Sequence, residues 1–223
     1  PEYLANYKLQ NSYLGMYRTR RINNVLNSSL HHTISDMREL QLDVFSVKAS
    51  TTLPILLTIL DDQPSFSSQI QDMKENLETW DYNMYTNSSA ATIFKIWYEL
   101  VSEATFGDEF KYWNITEYLW RATDSHLEFL IREIPNSIWF DNISTIQVES
   151  RENVLINAFN QTHILLKEYF KTDNIEMWEW GNIHKNMFMH LTGLGPLSKG
   201  PYPAAGSTHT VNPAYGHAYS NGT

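Results

Sequence analysis

The sequence predicts a mostly α-helical chain with a few short strands near its C-terminus. Three observations carry this. Only two of the nine glycines precede Trp180. Apolar residues over the same stretch recur at the three- and four-residue spacing of a helix face. After Trp180 the composition changes: residues 193–223 hold six of the nine glycines and four of the eight prolines, with little charge. That mixture disfavours helix and favours turns and extended segments. The expected division is therefore a helical block over residues 1–180 and extended segments over 181–223.

The elements follow in order. Thr33-Ile34-Ser35-Asp36 has the form of a capping box, and Met37, Leu40 and Val44 continue it at helical spacing. The longest apolar run, Leu53 to Leu60, has the length of a core helix, with Pro54 near its start. Pro64 suits the first turn of a helix over 64–78. Ile93, Ile96, Trp97, Leu100 and Val101 form a stripe on a helix from Ala90 to Ala104. Tyr118, Leu119, Phe129 and Leu130 predict a helix ending before Pro135. Val154, Ala158, Leu165 and Tyr169 predict a long one from Asn153 to Phe170. Asn186–His190 and His209–Asn212 are the candidate strands, and Gly193-Leu194-Gly195 reads as a turn.

Composition excludes several function classes. The net charge is −9, and the one basic cluster, Arg18, Arg20 and Arg21, is too short to bind nucleic acid, which needs concentrated cations. The absence of cysteine removes zinc ribbons, disulfide scaffolds and thiol chemistry. No stretch of about 18 apolar residues is present, so no membrane span is expected. Pro1-Glu2 opens the chain without a basic-then-apolar leader, which fits a mature or cut chain. Six Asn-X-Ser/Thr sequons, at Asn27, Asn87, Asn114, Asn142, Asn160 and Asn221, point to an exported, extracytoplasmic protein.

Generic chemistry is sparse. His31 and His32 are adjacent and face apart, so they are poor co-ligands. His184 and His190 lie six apart with Glu176 and Glu179 upstream, but no His-Glu-X-X-His and no Asp-rich calcium loop occurs. No metal and no cofactor is expected. There is no Gly-X-Ser-X-Gly elbow, and Gly193-Leu194-Gly195 lacks a third glycine for a phosphate loop. Asp61-Asp62 reads as a solvated helix end. Trp113 and Trp120, seven apart, and Trp178 and Trp180, flanking Glu179, read as core rings rather than a sugar platform.

Six segments, in order, resemble the penicillin acylase family. Tyr17-Arg18-Thr19-Arg20-Arg21-Ile22, with Leu26, is similar to its Tyr-Arg-X-X-Arg-Ile-X-X-X-Leu. Asp36-Met37, Leu40-Gln41, Asp43 and Ser46 continue the pattern, as do Trp80-Asp81, Ser88 to Ala91 and Trp97. Trp139-Phe140-Asp141, Thr145 and Glu149 resemble another stretch. Trp180-Gly181-X-X-His184, with Phe188 and His190, resembles the strongest late motif. Gly206 with Thr210-Val211-Asn212 is similar to a strand near the family's C-terminus.

The resemblance implies an N-terminal nucleophile hydrolase: an αββα sandwich of α+β class with an added helical block, in which a precursor cuts itself. It implies hydrolysis of the amide of acylated β-lactams or related N-acyl compounds such as acyl-homoserine lactones. It places the present residues in the interior-to-C-terminal part of the β chain. The nucleophile and the oxyanion-hole Asn lie upstream of the Tyr-Arg motif in the family, and Asn6 and Asn11 lack the context of that Asn. The chain alone is therefore expected to be inactive. Its expected partners are the α chain and the nucleophile-bearing part of the β chain, with a small N-acyl substrate. Of the machinery, Arg18 alone matches, as the Arg that orients the oxyanion-hole Asn. Trp180, Gly181, His184 and His190 are implied to be structural, both histidines packing in a strand rather than acting as bases. The family's calcium site needs carboxylates from elsewhere, and residues 2–12 offer only Glu2. The alternatives are a stand-alone exported helical binding module and a catalytically dead scaffold.

Overall fold

The computed structural model describes residues 16–63 and 66–213, without the side chains of residues 124 and 125. Pro1, Glu2, Asn6, Asn11, Pro64, His217 and Asn221 lie outside the described residues. Nine α-helices and one antiparallel hairpin are found among the described residues. They are α1 (Tyr17–Asn27), α2 (Ile34–Gln41), α3 (Val47–Asp61), α4 (Ser68–Glu78), α5 (Ser89–Tyr112), α6 (Leu119–Ser125), α7 (Leu127–Glu133), α8 (Arg151–Phe170) and α9 (Trp180–Ile183). The hairpin strands are β1 (Lys185–Phe188) and β2 (Lys199–Pro203). The chain is mostly helical, as the composition predicts.

Short polar residues start most of these helices. Thr33 and Asp36 close a reciprocal capping box on α2. Ser46, Ser67, Ser88 and Ser150 each accept a hydrogen bond from a backbone amide of α3, α4, α5 and α8. Each such cap is worth about 1 kcal/mol. Two boundaries differ from expectation. Val44 follows the end of α2 in extended chain, although it is buried. Pro54 lies inside α3 rather than near its start, because the Ser46 cap begins the helix at Val47.

Helix α5 is the hub. Ala90, Ala91, Thr92, Ser102, Thr105 and Gly107 let neighbours approach closely, while Ile93, Ile96, Trp97 and Val101 fill the core. It packs on α8, α6, α4 and α9. Against α8, the Trp97 indole donates to the Leu155 carbonyl (2.9 Å) and its ring meets Phe159 at 4.5 Å. The predicted single helix ending before Pro135 is two, because the backbone at His126 (φ −122°, ψ −33°) leaves the helical region between α6 and α7. Phe129 is exposed rather than packed.

Near the C-terminal end of α5, burial pushes the Glu109 carboxyl up to about 7, with Asp108 and Asp141 adding to the effect. A carboxyl whose folded pKa is raised stabilises the fold below its unfolded value, and that stability is lost as pH rises through the folded value. Glu109→Gln should therefore flatten the fall in stability between pH 5 and 8. It should gain on the order of 1 kcal/mol at pH 8 after discounting for solvent screening. Calorimetric melts at several pH values check this; parallel curves for the two proteins count against it.

The C-terminal strands are only partly the expected ones. β1 overlaps the predicted 186–190 segment, starting one residue earlier and ending two residues earlier. Its partner β2 has the sequence Lys-Gly-Pro-Tyr-Pro. Lys185 pairs Pro203 and Asn186 pairs Tyr202, with a bulge before Phe188 pairs Lys199. The segment His209–Asn212 is a turn, not a strand. The Thr210 hydroxyl accepts from the Ser207 amide (2.8 Å) and donates to the Asn212 carbonyl (2.7 Å), which bends the chain.

Candidate functional site

The resembling segments, except the 139–149 stretch beside Phe106 and Asp108, meet at one end of the helices. Asp43 organises the loop between α2 and α3: one carboxylate oxygen accepts from the Phe45 amide (3.0 Å), the other from Arg21 Nε (3.0 Å) and Nη2 (2.7 Å). The Arg21 guanidinium lies 4.4 Å from the centre of the Phe45 ring. That loop bonds to the loop before α5 through Ser46 N to Tyr82 O (2.9 Å) and Met84 N to Val44 O (3.0 Å). Met84 O then accepts from Gly206 N (2.8 Å), and Asp43 O from Asn212 N (2.9 Å). The three segments are therefore laced together through their backbones.

Trp180 closes the lacing. It is fully buried, its amide donates to Ser88 O (3.1 Å), and its indole donates to Gly206 O (3.0 Å). The next residue must be glycine. A Cβ at Gly181 would stand 2.9 Å from Thr86 Cβ and 3.0 Å from Pro203 Cβ. His184 stacks on Trp180 at 4.5 Å, and its Nδ1–H donates to the Ala204 carbonyl (2.7 Å). The carbonyl only accepts, so the proton sits on Nδ1. His184 is buried in extended chain just before β1. His190 departs from the expected packing role. It lies past the end of β1, exposed, with Nδ1 2.8 Å from the Thr192 hydroxyl.

Helix α1 presents Arg18 beside this end. Tyr17 turns inward, where its phenol donates a short hydrogen bond to Glu128 and its ring meets His209 edge-on at 5.3 Å. Arg18 is half-buried and makes no hydrogen bond or ion pair to another described residue. Its guanidinium is thus available to a group outside them. Arg21, not Arg18, holds the motif to the fold.

Beneath the lacing is a cavity of about 410 Å³, with Ser46, Lys48, Tyr98, Trp120, Ser207 and His209 among its walls. Lys48 is the feature that sequence reading missed. It sits at the start of α3 only 6% exposed, its ammonium 4.2 Å from the Tyr98 ring centre and 3.4 Å from His209 Nε2. Nothing local marks it, since its neighbours come from residues 17, 98 and 209. The arrangement can hold a polar group among aromatic walls. No cluster of three His, Asp or Glu side chains placed to hold a metal occurs among the described residues.

The tryptophans divide. Trp178 and Trp180 are core, as expected. Trp113 and Trp120 are exposed and sit on different elements, because α5 ends at Tyr112.

The family model described as Penicillin amidase matches residues 1–222. The chain belongs to the penicillin amidase family. No curated protein gives a significant match. Penicillin amidase membership agrees with the ordered segments that lace this end of the molecule, and it relates the chain to amidohydrolases. No helix among the described residues is long and apolar enough to cross a membrane.

Proposed function

We propose that these residues form the helical part of a penicillin-amidase-type amidohydrolase that cleaves the amide of acylated β-lactams or related N-acyl compounds, such as acyl-homoserine lactones. The observation that carries the reading is the family match along 1–222, with every resembling segment but the 139–149 stretch gathered at the end where Arg18 stands. In this reading the nucleophile is the N-terminal residue of a segment upstream in the precursor, activated by its own amine. Arg18 orients the oxyanion-hole Asn of that segment. A guanidinium suits this because it stays charged and offers several rigid donors.

Residues 1–180 are the helical block in this reading, and 181–223 contribute to the sandwich. The hairpin supports that assignment. Two strands alone are marginal in water, yet β1 and β2 expose Phe188 and Tyr202, and the adjoining loop exposes Met189, Leu191 and Leu194. A neighbouring sheet would cover these side chains. The sequons support an extracytoplasmic location.

The test compares the 223 residues alone with the complete enzyme on phenylacetyl and long-acyl anilides. The chain alone should show no turnover. In the complete enzyme Arg18→Ala should lower kcat by roughly 10²–10³, the usual loss for an oxyanion-hole support, with Tm unchanged. Turnover by the chain alone, or full activity of the Arg18→Ala enzyme, overturns the reading.

A further inference from the structure

Four of the six sequons carry an aromatic residue two positions before the Asn: Tyr85 before Asn87, Tyr112 before Asn114, Phe140 before Asn142 and Tyr219 before Asn221. A ring there offers its face to the first sugar of an attached glycan, whose C–H bonds pack on it. The structure sorts these sites. At Asn142 the ring of Phe140 is 1% exposed and already covered. At Asn87 the hydroxyl of Ser89 is buried and donates to Asn76 (3.2 Å). Asn160 has no ring two positions back, and its Thr162 is fully buried with the hydroxyl donating to Ala158 O (2.8 Å). Asn27 is exposed but follows Val25.

Asn114 differs from the other four sequons among the described residues. It ends α5 in a tight turn, with φ +55°, its own amide donating to Lys111 O (3.1 Å) and that of Ile115 to Phe110 O (2.8 Å). Asn is one of the few residues that suits this left-handed position. Asn114 and Thr116 are both exposed. Tyr112 is 73% exposed, and its ring is braced edge-on by Trp113 at 5.2 Å. A large apolar ring held out in water beside a sequon lacks a cover within the described fold.

We propose that Asn114 is an N-glycan acceptor and that the first sugar packs on Tyr112. The bond forms between Asn114 Nδ2 and the anomeric carbon of a sugar donated by a lipid-phosphate-linked oligosaccharide. Nδ2 loses a proton, and the lipid phosphate leaves. The proposal rests on the extracytoplasmic reading, because such donors are used at or beyond a membrane.

Lys111 and Arg121 bracket the site, so trypsin releases Tyr112–Arg121 with one sequon. Mass spectrometry of that peptide, from protein isolated from its source, should find the glycan mass on Asn114. A bare Asn114 with a glycan on Asn27 overturns the proposal alone. A chain bare at every sequon overturns it together with the extracytoplasmic reading. For the packing, wild type and Tyr112→Ala are produced in one glycosylating host and melted before and after deglycosylation. Deglycosylation should lower the wild-type Tm by roughly 2–4 °C and leave that of Tyr112→Ala unmoved. Equal shifts in both overturn the contact with Tyr112.

Discussion

Trp180→Ala should lower the stability of the chain by about 3–5 kcal/mol, the range for removing a large buried ring. Three losses combine. The fully buried indole leaves a cavity under the lacing. Gly206 O loses its indole donor, and His184 loses the ring it stacks on. Removing one partner of a buried hydrogen bond costs more than the bond's net value, because the other stays dry and unpaired. Denaturant titration measures the effect, and Trp180→Phe apportions it. Phe refills most of the cavity but cannot donate, so it should cost about 1–3 kcal/mol. If Trp180→Ala costs less than 1 kcal/mol, Trp180 is not what closes this end. Limited proteolysis gives an independent reading, since residues 204–212 should become cleavable in Trp180→Ala before the helices do.

Gly206→Ala should cost about 3 kcal/mol, whereas Gly193→Ala should cost about 1 kcal/mol. Both glycines have positive φ, +82° and +71°. An added methyl group is strained at either position. The surroundings separate them. A Cβ at Gly206 would stand 2.4 Å from Asn212 O and 2.9 Å from Thr210 Oγ1, while one at Gly193 meets nothing within 4 Å. The carbonyl at Asn212 cannot retreat without pulling the Asn212 amide from Asp43 O. The damage then spreads toward Arg21, which grips the same Asp43. Paired thermal melts test this, and equal costs for the two variants would show that φ strain alone decides.

The sequence announces helices through local chemistry. The Thr33–Asp36 box and the helices α5 and α8 rest on signals that act over a few residues and lie where those signals put them, while the Ser88 and Ser150 caps start α5 and α8 one and two residues before the expected Ala90 and Asn153. What depends on distant partners is silent. Strand β2 hides in a Gly/Pro-rich run because its prolines donate no ladder bond and its pairing is set by β1. The turn at 207–212 has the β-branched look of a strand, but the Thr210 hydroxyl competes with any ladder. Arg18 is readable only through the family pattern, since no hydrogen bond or ion pair to another described residue marks it. Lys48 is unreadable, since a lysine after Val47 in an apolar run gives no hint of two tyrosine rings and an imidazole from far along the chain.

The lacing also sets an order of events. Lys48 and His209, which meet in the cavity, are 161 residues apart. At translation rates of 5–20 residues per second, roughly 10–30 s separate their synthesis. Helices α1 to α8 are thus made while the groove that receives Trp180 is still open, and contacts of such separation form late because loop closure must come first. During that interval the Ser88 and Met84 carbonyls, which later accept from Trp180 and Gly206, lack those partners and face whatever binds nascent chains. Arrival of residues 180–212 ends the exposure. A chain cut short before Trp180 never reaches that state, so closure marks a completely synthesised helical block from an incomplete one.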